Sequence, residues 1–245
     1  MKPGDIFPTK MHGLLEIVSI RSSRDVEIKF IETGWETSVR ADSIRRGSVR
    51  DRLAKTICGV GYLGQEDLSH LPDYSKLYSR WVGMIRRCYD EDVIRLRPTY
   101  AGCKVCNEWH SLENFIVWCI SHTDWNNGDW EVDKDILFKG NKTYSPDTCC
   151  FVPNEINNLF VKKDANRGDY PIGVVKVTPN RYRAQCNLGD GTLYKSTLFS
   201  SVDEAFNEYK RVKESVIRNK ANKHKNIISE RTYLALINYK VEISD

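Results

Sequence analysis

Residues 130–161 read WEVDKDILFKGNKTYSPDTCCFVPNEINNLFV, and the rest of the chain is organised around them. The first piece alternates like a strand, with Val132 and Lys134 on one side and Asp133 and Asp135 on the other. Gly140-Asn141 suits a turn with an unusual backbone conformation. Pro153 is compatible with the first turn of a helix, where a missing amide leaves nothing unsatisfied. A helix from about there carries Ile156, Leu159 and Phe160 on one side. The stretch is therefore expected to fold as strand, turn, strand, helix. Asp133 sits on a strand of that unit and Asn157 on its helix.

These steps resemble the ββα-metal core of HNH endonucleases, in the branch found in phage and intron homing enzymes. The matching residues are Asp133, Lys134, Gly140-Asn141-Lys142, Phe151-Val152-Pro153 and Asn157. The resemblance implies that Asp133 and Asn157 hold one divalent cation, Mg2+ or Mn2+, against a scissile phosphate. Asp135 is then a further or substitute ligand, and Asn141 shapes the turn. Hard cations take oxygen donors of this kind, and the metal stabilises charge developing on the phosphate and leaving oxygen. One position departs from the family: Lys134 stands where the family has the histidine that activates water. A lysine at neutral pH is protonated unless burial lowers its pKa by several units. Lys134 is then a tuned base, a cation steadying the phosphate, or the mark of lost cleavage. Apart from the family, Asp-Lys-Asp reads as a solvated strand edge.

The chain has 245 residues, room for one large or two to three small domains. Its hydrophobic fraction is 40% and its charged fraction 29%, which suits a water-soluble globular chain. No apolar run approaches a membrane span, and the N-terminus MKPGDIFPTK has no apolar signal region. The expected setting is cytoplasmic, in a bacterial host if the chain is phage-encoded. Eight cysteines then read as reduced thiols rather than a disulfide scaffold. The net charge of +4 is uneven: residues 160–225 hold 14 Lys and Arg against 7 Asp and Glu, leaving −3 elsewhere. A basic C-terminal third points to an anionic partner, double-stranded DNA first; a solvated helix face is the plainer reading.

Residues 1–64 show short strand-like runs at 14–20, 26–31 and 35–39, separated by turn residues, which suggests an SH3-like barrel or curled sheet. Arg45, Arg46, Arg50 and Arg52 follow as candidates for phosphate contact. The glycine-rich residues 59–64 read as a linker. Residues 73–90 place Tyr74, Leu77, Tyr78, Trp81, Met84, Ile85 and Cys88 on one helical stripe, which reads as core. Cys103 and Cys106 have the spacing of a zinc half-site. Structural Zn2+ needs a second half from His110 or from Cys149-Cys150, and buried thiols are the competing reading. Ser111 caps a helix holding Leu112, Phe115, Ile116, Cys119 and Ile120. Trp81, Met84, Arg87, Cys88, Tyr89, Cys106, Glu108, Trp109, Asn114, Phe115 and Trp118 together resemble the helical lead-in of phage HNH-type proteins. Such a scaffold supplies core that a lone ββα unit lacks.

Residues 162–170 read as a linker. Three strand-like runs follow at 172–177, 181–187 and 193–199, then the capping box Ser201–Glu204 and a helix with Val202, Ala205, Phe206, Tyr209, Val212 and Val216 on one stripe. Gly173-Val174, the RYRA run at 181–184 and the lead into the helix make this unit similar to the AP2 DNA-binding domain. That family implies an exposed sheet face in the major groove. Tyr182, Ala184 and Cys186 are expected to pack on the helix, and Arg181, Arg183, Gln185 and Asn187 to face outward. Arg bridges guanine O6/N7, and Gln or Asn bridges adenine N6/N7. Lys176 and Lys195 add phosphate or base contacts. The usual strand tryptophan of that family is Tyr182 here. The tail has Leu234 and Ile237 at helical spacing with Ser229 as cap; docking on the body and dimerisation are both open to it.

The expected chain is thus α+β. It divides into a small β domain (1–64), an HNH-like ββα domain with helical lead-in (65–163), an AP2-like domain (171–225) and a C-terminal helix (226–245). The implied activity is a metal-dependent DNA endonuclease or nickase; a non-catalytic, sequence-specific DNA-binding protein of the same descent is the alternative.

Overall fold

The computed structural model describes residues 1–122, 130–161 and 169–243. The fold is mixed α and β, with several small sheets and seven α-helices among the described residues. The chain divides into two compact units, Met1–His122 with Lys142–Ser145, and Thr123–Asn141 with Pro146–Asp245.

The first unit opens with an antiparallel meander of β1 (Ile6–Pro8), β2 (Leu14–Ser22), β3 (Asp25–Phe30) and β4 (Glu36–Val39), in that spatial order. Alternation buries Leu15, Ile17, Val26, Ile28 and Phe30 against Ala41 and Ile44 of the short α1 (Ala41–Arg45). No barrel closes among the described residues: β1 and β4 remain the two edges. Those edge strands have only three and four residues.

The helical stripe of residues 73–90 forms α2 (Tyr74–Tyr89), burying Leu77, Trp81, Met84, Ile85 and Cys88. The short α3 (Glu91–Leu96) follows, started by the Asp90 carboxylate accepting from the amides of Asp92 and Val93. β5 (Lys104–Val105) leads to α4 (Leu112–Ile120), whose first turn is capped by Ser111. Trp81 Nε1 donates to the Trp109 carbonyl at 2.8 Å, fixing α2 to the approach to α4. The glycine-rich residues are more than a linker. Tyr62 bridges to Ser111, and the carbonyls of Tyr62 and Leu63 accept from the amides of Leu112 and Glu113. Their lack of side-chain pattern hid a backbone role.

In the second unit β6 (Trp130–Asp133) pairs antiparallel with β8 (Cys150–Pro153). Between them in sequence, β7 (Thr143–Tyr144) belongs to the first unit, where it pairs in parallel with β5. After β8 comes α5 (Asn154–Asn157), which is one turn long rather than the extended helix expected. Pro153 ends the strand opposite Trp130 instead of opening the helix. Ile156 and Leu159 are buried, and Phe160 meets Tyr239 edge to face with centroids 4.9 Å apart.

The C-terminal part of this unit is a three-stranded antiparallel sheet, β9 (Val174–Thr178), β10 (Arg181–Asn187) and β11 (Leu193–Phe199), with β10 in the centre. α6 (Val202–Lys223) packs across it, begun by a complete capping box of Ser201 and Glu204. Gly173 has φ +76°, and a Cβ there would lie 2.0 Å from the Tyr209 ring, so the chain enters β9 beneath that ring only as glycine. α7 (Glu230–Ile237), capped by Ser229, packs on α6, which places the C-terminal helix on the body of its own unit. Most of residues 162–170, the expected linker, lie outside the described residues.

Candidate functional site

Asp133 ends β6, and its own side chain is the reason. Its Oδ1 accepts from the amides of Asp135 at 2.7 Å and Ile136 at 2.8 Å, folding the backbone into a turn. The alternation expected through Asp135 therefore stops at Asp133. Burial pushes the Asp133 carboxyl above its usual range, against the two amide bonds that favour its ionised form. Among the described residues no hydrogen bond is made to its Oδ2.

Lys134 follows, only 8% exposed. Its Nζ donates to Asp135 Oδ2 at 2.5 Å and to the Asn141 carbonyl at 2.8 Å. Asn141 returns the contact, Nδ2 donating to the Lys134 carbonyl at 2.9 Å, while its amide bonds to the Phe138 carbonyl. Gly140, at φ +74°, makes the reversal. Lys134 and Asn141 thus close the 134–141 loop on itself. These contacts give Lys134 a part in holding the loop. Asp135 is held by the Lys134 ammonium.

Asn157 is half-buried at the end of α5, which packs on both β6 and β8. The packing of α5 on β6 puts the helix that carries Asn157 against the strand that ends in Asp133. Both residues offer hard donors, and Mg2+ in phosphoryl chemistry keeps several waters and is held by one or two carboxylates together with substrate phosphates. The half-buried Asp133 carboxylate, with Oδ1 taken by two amides, is a hard oxygen donor of the kind such sparse coordination uses. Among the described residues no three His, Cys, Asp or Glu side chains are grouped as a metal centre. That includes the C-x2-C pair: Cys103 is buried, burial pushes the Cys106 thiol up, and His110 Nε2 lies 3.2 Å from the Tyr89 hydroxyl. None of the eight cysteines is in a disulfide.

The sheet places its candidates unevenly. Ala184 and Cys186 are buried towards α6, and Tyr182 is half-buried against Tyr170. Arg183 pairs with Val175 on one side and Leu198 on the other, and Gln185 pairs with Lys195, so these share the opposite face. Arg181 is exposed at the start of β10, where the register shifts. Lys176 pairs with Tyr182 and so takes the same side as that residue. Asn187 Oδ1 accepts from the Gly189 amide at 2.7 Å, shaping the β10–β11 turn. Lys176, Arg181, Arg183 and Lys195 make no ion pair with the described residues, and β9, β10 and β11 contain no Asp or Glu. The N-terminal arginines differ: Arg46 pairs with Asp42, and Arg52 holds the Gly64 carbonyl and Asp67.

The sequence did not single out Glu155, whose carboxylate on α5 receives Lys220 at 2.5 Å, Lys223 at 2.8 Å and His224 Nε2. Burial disfavours its charge, yet these three donors hold the carboxyl down at about 2. The clamp joins the ββα segment to the end of α6 within one unit. The spacing of Lys220, Lys223 and His224, three and four apart on one helical face, is the signal that could have shown it.

Compared with known proteins, the chain matches no family model, no curated protein and no solved structure. No helix among the described residues is long and apolar enough to cross a membrane.

Proposed function

We propose that this chain binds double-stranded DNA through the outward face of β9–β11 and acts on it as a metal-dependent endonuclease or nickase of the HNH homing type. The carrying observation is the sheet: Arg181, Arg183 and Lys195 have no acidic partners among the described residues, on strands that have no carboxylate, and a capped helix backs them. A surface so charged and unpaired is suited to a polyanion. The β6–β8 hairpin with α5 supports the catalytic part, with Asp133 and Asn157 as the cation's ligands. When bound, the cation would stabilise charge on the scissile phosphate. Asp133 would hold it through Oδ2, and Lys134 would keep the adjoining loop closed. Water activation is not given to Lys134.

The engagement of Lys134 also favours a second reading, duplex binding without cleavage. Supercoiled plasmid incubated with Mg2+ or Mn2+ separates the two, comparing wild type with Asp133→Ala across about pH 6 to 10. Nicking by wild type alone supports the nuclease. Intact DNA binding without nicking at any pH leaves the second reading. Absence of both, in folded protein, refutes the proposal.

A further inference from the structure

The outward face of this sheet is not simply polar. Val175 and Leu198, each 40% exposed, are the cross-strand partners of Arg183, one on either side. Leu193, 51% exposed, stands opposite Asn187, and Lys195 opposite Gln185. A row of aliphatic, cation, aliphatic therefore crosses all three strands. Arg183 Nε is buried without a hydrogen-bond partner, and no described residue forms an ion pair with its guanidinium. Water rewards the cation in that row and not the aliphatic groups.

A major groove offers both kinds of contact. Guanine presents two acceptors to an arginine, and thymine presents its C5-methyl group to an apolar side chain. Neighbouring strands lie about 4.8 Å apart, so Val175 and Leu198 flank Arg183 at a distance that reaches adjacent base steps. A second copy of this chain is a poorer occupant. Like-charged faces carrying Arg181, Arg183 and Lys195, with no carboxylate on the strands, would repel each other.

Resting on the duplex-binding reading above, we propose that Val175 and Leu198 read thymine methyl groups on either side of the base addressed by Arg183. The sheet then selects thymine-containing sites by apolar contact as well as by hydrogen bonds.

The test uses the full chain and short duplexes that it selects from a random pool. Each selected duplex is remade with uracil in place of thymine, which removes only the methyl group. Affinity is expected to fall about fourfold per contacted methyl, from the usual value of a buried methyl-sized group. Val175→Ala and Leu198→Ala, checked for unchanged thermal stability, should shrink the thymine-to-uracil ratio while binding to uracil duplexes persists. Equal affinity for both duplexes, a ratio untouched by the two substitutions, or a selected set lacking thymine overturns the methyl reading and leaves duplex binding standing. Failure of the folded chain to bind any duplex overturns duplex binding as well. Self-association that Leu198→Ala abolishes, without thymine preference, assigns the face to a second copy.

Discussion

Replacing Lys134 by methionine tests whether it locks the loop or takes part in chemistry. Methionine keeps a flexible apolar stem in the buried space and deletes the ammonium. The bonds lost include those to the Asn141 carbonyl at 2.8 Å and to Asp135 at 2.5 Å. A charged hydrogen bond to a carbonyl, here a part-buried one, contributes about 1.5–3 kcal/mol. The Asp135 side chain is 46% exposed, so screening reduces its share to about 0.5 kcal/mol. Lys134→Met is therefore expected to cost about 2–3 kcal/mol, a fall in Tm of roughly 4–10 °C. Hydrogen exchange should locate the loss in the β6–β8 hairpin and the 134–141 loop. Well below its Tm, the variant should bind DNA normally and retain whatever Mg2+-dependent nicking the wild type has. Unchanged stability together with abolished nicking would refute the lock and place Lys134 among the reacting groups.

Other outcomes follow from the same contacts. Asp133→Asn keeps an acceptor for the Asp135 and Ile136 amides and removes a carboxyl that burial holds above its usual 3.8. A raised carboxyl favours the fold below 3.8 and loses that contribution as pH rises through its folded value, so the variant should melt higher at pH 7, with the gain vanishing in acid. Mg2+ should raise the Tm of wild type more than that of Asp133→Asn. Glu155, held at about 2 against a usual 4.5, stabilises the fold above 4.5 and loses this as pH falls towards 2. Being 27% exposed, it should contribute about 1–2 kcal/mol, which Glu155→Gln removes at pH 7 and which acid melting curves will show. With about four to six phosphates contacted, DNA affinity should fall with salt at a log–log slope of roughly −4 to −5, and Lys195→Gln should flatten it by about 0.9. A flat response in wild type counts against the sheet as the binding surface.

Several elements were legible because their causes are local. The apolar stripe of α2, the Ser111 cap of α4 and the Ser201–Glu204 box of α6 each lie within a few turns of chain, and each forms. The alternation of β10 likewise sends Ala184 and Cys186 under α6. Reading failed where a side chain competes with the backbone: Asp133 accepts two amides and ends its strand, so Lys134 leaves the pleat that periodicity had extended through it. Glu214 drew no reading from the sequence: it is buried on α6 and accepts from the Val241 amide, a bond no helical stripe announces. The register shifts in β10 moved Lys176 to the side of Tyr182, and strict alternation has no means to foresee a bulge.

Patterning thus determined which segments are helices and strands and which of their faces are apolar, since short-range sterics and solvent set both. Folding in three dimensions decided what the polar groups do. Lys134 meets an acceptor seven residues away, and Glu155 meets its donors 65 to 69 residues away. A charged group's role depends on which partners reach it and how far water is excluded, and neither is a property of its neighbours in the chain.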